Sequence, residues 1–146
     1  QAEGANVAEA YRIMAQPQGV AARHLAGARA MTDVTGFGLA GHAINLARAS
    51  DVGVQIDLEA VPVMDVALDL SSKGIRSSLY DANRSGFRDL PTGATCDLLF
   101  DPQTGGGLLA AVPGDPGPRV KALRSDGFDA AVIGRVTQSA GQLTIL

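Results

Sequence analysis

Eleven consecutive residues, Thr32-Asp33-Val34-Thr35-Gly36-Phe37-Gly38-Leu39-Ala40-Gly41-His42, gather an acid, two hydroxyls and three glycines at the predicted mouth of a helix. A turn of this kind offers backbone N–H groups and the positive end of a helix dipole to an anion. The carboxylate of Asp33 can hold a hard cation such as Mg²⁺, which takes oxygen ligands and shares them with substrate phosphates. Gly36 and Gly38 would let the backbone approach a ligand closely. The same residues also suit a bland use. Asp33 or Thr35 would then be the N-cap, and the glycines would ease packing. On residue types alone the capping use is the commoner, and both stay open here.

A second segment, Asp101-Pro102-Gln103-Thr104-Gly105-Gly106-Gly107-Leu108, joins two apolar runs. Successive glycine N–H groups can line an anion-binding concavity; a plain connecting loop is the alternative. The segment is no P-loop, because no Lys-Ser or Lys-Thr follows the glycines. It is no dinucleotide fingerprint either, because a strand-like run and not a helix comes next. His42 lies one turn into the helix and is more often a packed, hydrogen-bonded residue than an acid–base group. His24 has no such surroundings. Cys96 reads as a buried structural thiol. Asn83-Arg84 reads as a surface loop, with a substrate contact as the alternative.

The elements that must position these residues follow from periodicity. Ala5–Ala15 is an amphipathic helix with Val7, Tyr11 and Met14 on one stripe, ended by Pro17. Val20–Ala28 suggests a second short helix, and Arg29–Thr32 a strand. Phe37–Ala49 is the clearest helix, with Phe37, Ala40, Ile44 and Ala47 in register. Val52–Leu58 alternates as a half-buried strand. Val66–Lys73 reads as a helix stopped by Gly74. Residues 77–95 read as mostly irregular. Asp97–Phe100, Leu108–Val112, Ala130–Gly134 and Leu143–Leu146 read as strands, and a helix runs from Pro116/Pro118 to Ser125, ended by Gly127. Helices and strands without strict alternation predict an α+β fold, with helices packed on one face of a mixed sheet.

The chain has 146 residues, 46% of them apolar and 18% charged, which suits one domain with its own core. A net charge of −3 without a basic run argues against a nucleic-acid surface. No apolar stretch approaches a membrane span and no leader is evident. A single cysteine excludes an internal disulfide framework and fits a cytoplasmic setting. The chain opens at Gln1 directly into a helical pattern. We therefore read residues 1–146 as one domain of a longer parent.

Both motifs resemble those of the selenophosphate synthetases (selenide, water dikinases), in family order and spacing. Thr32–His42 is similar to their Thr-Asp-Val-Thr-Gly-Phe-Gly-Leu-x-Gly-His signature, and Asp101–Leu108 to Asp-Pro-Gln-Thr-Ser-Gly-Gly-Leu. The likeness runs from about Asn6 onward and includes Ser77-Ser78 and Asn83-Arg84. It implies the C-terminal-domain fold of aminoimidazole ribonucleotide synthetase. It also implies an enzyme that converts ATP, selenide and water to selenophosphate, AMP and orthophosphate with Mg²⁺ and a monovalent cation. The parent would be a homodimer whose N-terminal ATP-binding domain carries the Cys or selenocysteine nucleophile, a lysine and further metal aspartates. By the same resemblance, Asp33 would ligate Mg²⁺. Thr35, Gly36, Gly38, Gln103, Thr104, Gly106 and Gly107 would border the nucleotide phosphates. No catalytic residue would lie in this domain, and it would be inert alone. Gly105 departs from the family pattern, which has serine there. Two rival expectations are a related ATP-dependent enzyme of the same superfamily and a non-catalytic module fused to a pyridine-nucleotide–disulfide oxidoreductase.

Overall fold

A computed structural model describes residues 3–146. The chain runs α1 (Gly4–Met14), α2 (Gly19–His24), β1 (Ala30–Asp33), α3 (Gly38–Ala49), β2 (Gly53–Ile56), a 3-10 turn (Leu58–Ala60), α4 (Asp65–Ser72), α5 (Tyr80–Arg84), α6 (Ala94–Leu98), β3 (Leu108–Ala111), α7 (Gly117–Ser125), β4 (Gly134–Thr137) and β5 (Leu143–Ile145). The α+β class holds. The strands divide into a two-stranded antiparallel ladder, β1–β3, and a three-stranded mixed sheet in the order β4-β2-β5. In the mixed sheet β2 runs antiparallel to β4 and parallel to β5.

Helix α3 links the two sheets, packing on β1, β2 and β5. Its inner face is small: Ala40, Ala43 and Ala47 are buried with Ile44, so the helix axis can approach the strands closely. Ala40 also meets Cys96, Leu99 and Phe100, the centre of the core. Phe100 is fully buried, with Tyr80 edge-on at 6.4 Å between ring centroids and Phe87 at 5.3 Å.

Four sequence expectations need correction. Asp97–Phe100 is not a strand; it spans the end of α6 and the turn after it. A short apolar run does not distinguish the two conformations. The deciding contacts are long-range: the Asp97 carboxylate pairs with Arg76 and accepts a hydrogen bond from the Tyr80 hydroxyl at 2.6 Å. Residues 77–95, read as irregular, contain α5 and the start of α6. Ala130–Gly134 is not a strand over its length; ladder pairing begins at Gly134 and runs to Thr137, four residues late. Finally, neither Asp33 nor Thr35 caps α3. Phe37 occupies that position without a side-chain bond. The helix-start N–H of Ala40 is met by the Leu99 carbonyl at 2.9 Å, and that of Gly38 by the Thr35 carbonyl at 3.1 Å. Backbone carbonyls thus satisfy donors that a capping side chain would otherwise take.

Candidate metal–phosphate half-site

The β1–β3 ladder brings the two sequence motifs together. Asp33 closes β1 and lies opposite Leu108, the first residue of β3. Past the ladder the Val34 N–H donates to the Gly107 carbonyl at 2.9 Å, and the Gln103 N–H donates to the Thr35 carbonyl at 3.0 Å. The contact is close enough to demand glycine. A Cβ on Gly106 would lie 2.1 Å from the Val34 carbonyl oxygen. Gly38, at φ +69°, presses on the segment leading into the second motif, where a Cβ would lie 2.5 Å from the Leu99 oxygen.

Within this junction the residues differ in what they leave free. Asp33 is exposed. Ion pairs among the described residues join Arg12 to Glu9, His24 to Asp126, Lys73 to Asp69 and Arg76 to Asp97, and none involves Asp33. Its carboxylate is therefore an unclaimed hard oxygen donor beside the glycine loop. Among the described residues the N–H groups of Gly36, Gly105, Gly106 and Gly107 donate to no protein acceptor. Thr104 is exposed, as is Gln103, whose side chain folds back to the Asp101 carbonyl at 3.2 Å.

Thr35 is fully engaged. Its N–H donates to His42 Nε2 at 3.0 Å and its hydroxyl lies 3.1 Å from the same nitrogen. Its carbonyl accepts from both Gly38 and Gln103. Because Nε2 accepts a backbone N–H, the imidazole carries its proton on Nδ1. His42 is thus a packed, hydrogen-bonded residue that ties down the Asp33 turn, with the Phe37 ring 5.7 Å away.

Two nearby side chains were not legible as parts of this junction. Asn83 of α5 donates its carboxamide N–H groups to the Gly36 carbonyl and to the Phe100 carbonyl, each at 2.9 Å. Arg84 points the other way, with its guanidinium 4.6 Å from the centroid of the Phe100 ring and donating to the Leu90 and Pro91 carbonyls. In sequence they stood out as a polar dipeptide in a serine-rich stretch and as part of the family likeness, with no sign of which groups they bind. Asp101 sits partly buried at the head of the second motif, and burial pushes its carboxyl above the usual carboxylate range, with Arg76 opposing. Cys96 is buried, as expected. Burial raises its thiol pKa and Arg84 opposes the rise. His24 meets Asp126 at 2.7 Å and joins α2 to the end of α7, away from the junction.

Two hollows lie away from this junction, one apolar between α1 and α4 and one along α7. Among the described residues no three His, Cys, Asp or Glu side chains converge, so Asp33 can supply only one ligand of a cation's set. No helix among them is long and apolar enough to cross a membrane.

The chain is similar to several known proteins. A selenide, water dikinase of Nitratidesulfovibrio vulgaris is 42% identical over 93 residues, 60% of this chain and 26% of the relative. Selenide, water dikinase 2 of Peptoclostridium acidaminophilum is 34% identical over 137 residues, 88% of this chain and 40% of the relative. The chain therefore spans between about a quarter and two-fifths of the length of these curated relatives. Among solved structures, E. coli HypE, a hydrogenase maturation protein, superposes with a TM-score of 0.55 at 25% identity, covering 84% of this chain and 34% of HypE. The family described as "AIR synthase related protein, C-terminal domain" matches residues 2–145, nearly the whole length, and the chain belongs to that family.

Proposed function

We propose that this chain is the C-terminal domain of a selenophosphate synthetase and that it contributes half of the nucleotide–metal site. The parent reaction would take ATP, selenide and water to selenophosphate, AMP and orthophosphate. The relatives named selenide, water dikinase support this reading, as do both motifs. The observation that carries it is the junction itself, where the free Asp33 carboxylate borders a glycine loop with unclaimed N–H donors.

In this reading Asp33 provides one oxygen ligand to Mg²⁺. Bound Mg²⁺ supplies charge neutralisation at the phosphate oxygens. The N–H groups of Gly36, Gly106 and Gly107 donate to phosphate oxygens as a concave set. Thr104 and Gln103 border the same phosphates, while Thr35 and Gly38 fix the turn. The remaining metal ligands, the nucleophile and any monovalent-cation ligands come from the parent's N-terminal domain, and the working parent is a homodimer in the cytoplasm. A single carboxylate leaves the metal's ligand set incomplete, so the domain by itself is inert.

The HypE likeness favours one second reading, a related enzyme of the same superfamily acting on a different activated substrate. The test is an assay of the full-length parent with ATP, with and without selenide. Selenide-dependent release of AMP is the expected result. ATP cleavage that ignores selenide favours the second reading.

A further inference from the structure

We propose that Asn83 is a positioning residue that holds the Gly36 end of the Asp33 turn against the segment leading into the glycine loop. The inference rests on the reading of that junction as a metal–phosphate half-site. The residue that makes the tie lies outside both sequence motifs: one carboxamide on α5 reaches the Gly36 carbonyl and the Phe100 carbonyl, each at 2.9 Å. Gly36 lies three residues after Asp33, and Phe100 immediately precedes Asp101 at the start of the second motif.

The chemistry selects asparagine. Both partners are carbonyl oxygens and can only accept, so the carboxamide must turn its nitrogen toward them. Its two N–H groups divide between them. Aspartate has no donor and would set a negative oxygen against two carbonyls. Serine has one donor and glutamine is a methylene too long. The base of the clamp is fixed by its neighbour: Arg84 holds the Leu90 and Pro91 carbonyls and covers the Phe100 ring, which anchors α5 to the core. The Asp33 turn is held from its other side by His42 through Thr35. Asn83 therefore adds a side-chain tie between segments that backbone bonds already join, and its loss frees the Gly36 carbonyl end of the Asp33 turn without dissolving either segment.

The test pairs a structural with a kinetic readout. In the 146-residue chain, NMR should show both Asn83 carboxamide protons exchanging at least about tenfold more slowly than those of a solvent-exposed asparagine. In the full-length parent, Asn83→Asp should raise KM for ATP of the folded enzyme about tenfold, in addition to the fall in Tm that the two opposed carbonyls bring, and added Mg²⁺ should recover part of the KM loss. A purely structural role would lower Tm and leave KM of the folded enzyme unaltered, which overturns the proposal. Free-solvent exchange of the Asn83 carboxamide overturns it as well. If Asn83→Asp does not fold, exchange in the unsubstituted chain decides. If the full-length parent shows no selenide-dependent cleavage, the functional reading fails separately, and the clamp is judged on exchange alone.

Discussion

Gly38 is where the two motifs press hardest on each other, and replacing it tests their packing. At φ +69° an L side chain is strained, by about 1–2 kcal/mol in the left-handed region. The new Cβ of Gly38→Ala would lie 2.5 Å from the Leu99 oxygen, 2.9 Å from the Phe100 carbonyl carbon and 3.0 Å from the Asp101 oxygen. All three neighbours are backbone, so no side chain can swing aside. Moving Leu99 would also stretch its 2.9 Å bond to the Ala40 N–H, which starts α3. Overpacking of this kind adds about 1–3 kcal/mol. The total is about 2–5 kcal/mol, a fall in Tm on the order of 10 °C for a domain of this size. Gly36→Ala is the matched control, because a Cβ there meets nothing within 4 Å. It should change stability by no more than about 0.5 kcal/mol. Thermal and denaturant unfolding of the two variants, followed by circular dichroism, makes the comparison. Equal stability for both would refute the tight packing of the Asp33 turn on the second motif.

Three further outcomes are expected. Gly105→Ser restores the family residue at φ +62°, where a Cβ would lie 2.7 Å from the Met14 oxygen; we expect about 1–3 kcal/mol of destabilisation and faster amide exchange at the end of α1, whereas Gly107→Ser, with open space around it, should be close to neutral. Asp97→Ala strips a buried carboxylate from Arg76 and the Tyr80 hydroxyl and should cost about 3–5 kcal/mol in denaturant unfolding. Burial raises the Asp101 carboxyl, so the folded chain keeps a proton that the unfolded chain has lost, and this residue's contribution to stability falls as pH rises from the ordinary carboxylate range through the raised value. Asp101→Asn should therefore melt higher than the unsubstituted chain at neutral pH and converge with it in acid.

Much of the fold was legible where local chemistry decides. The Val7, Tyr11 and Met14 stripe gave α1, and Gly74 and Gly127, at φ +76° and +81°, sit past α4 and α7 as expected of helix stops. The alternation around Val54 and Ile56 gave β2, with Ile56 in the core, but the strand expected to reach Leu58 stops at Ile56 and Leu58 opens the 3-10 turn. What failed was decided by distant partners. Asp97 belongs to a helix because Arg76 and Tyr80 reach it, and Thr35 is no cap because His42 takes its hydroxyl and N–H. The junction was half legible. Its residues were visible as two motifs, but Asn83 became part of it only through a contact spanning 47 residues, which no periodicity encodes.

Asp33→Asn in the full-length parent is the most direct test of the half-site. The exchange keeps size and removes charge from an exposed side chain outside every ion pair among the described residues, so folding should be unaffected. Changing only an outer-shell partner of a metal ligand already costs about 10–100-fold, so losing a ligand itself should lower selenide-dependent AMP formation by roughly 100-fold, with partial recovery at high Mg²⁺. A folded Asp33→Asn enzyme with unchanged turnover and unchanged Mg²⁺ dependence would contradict the assignment of this carboxylate to the metal.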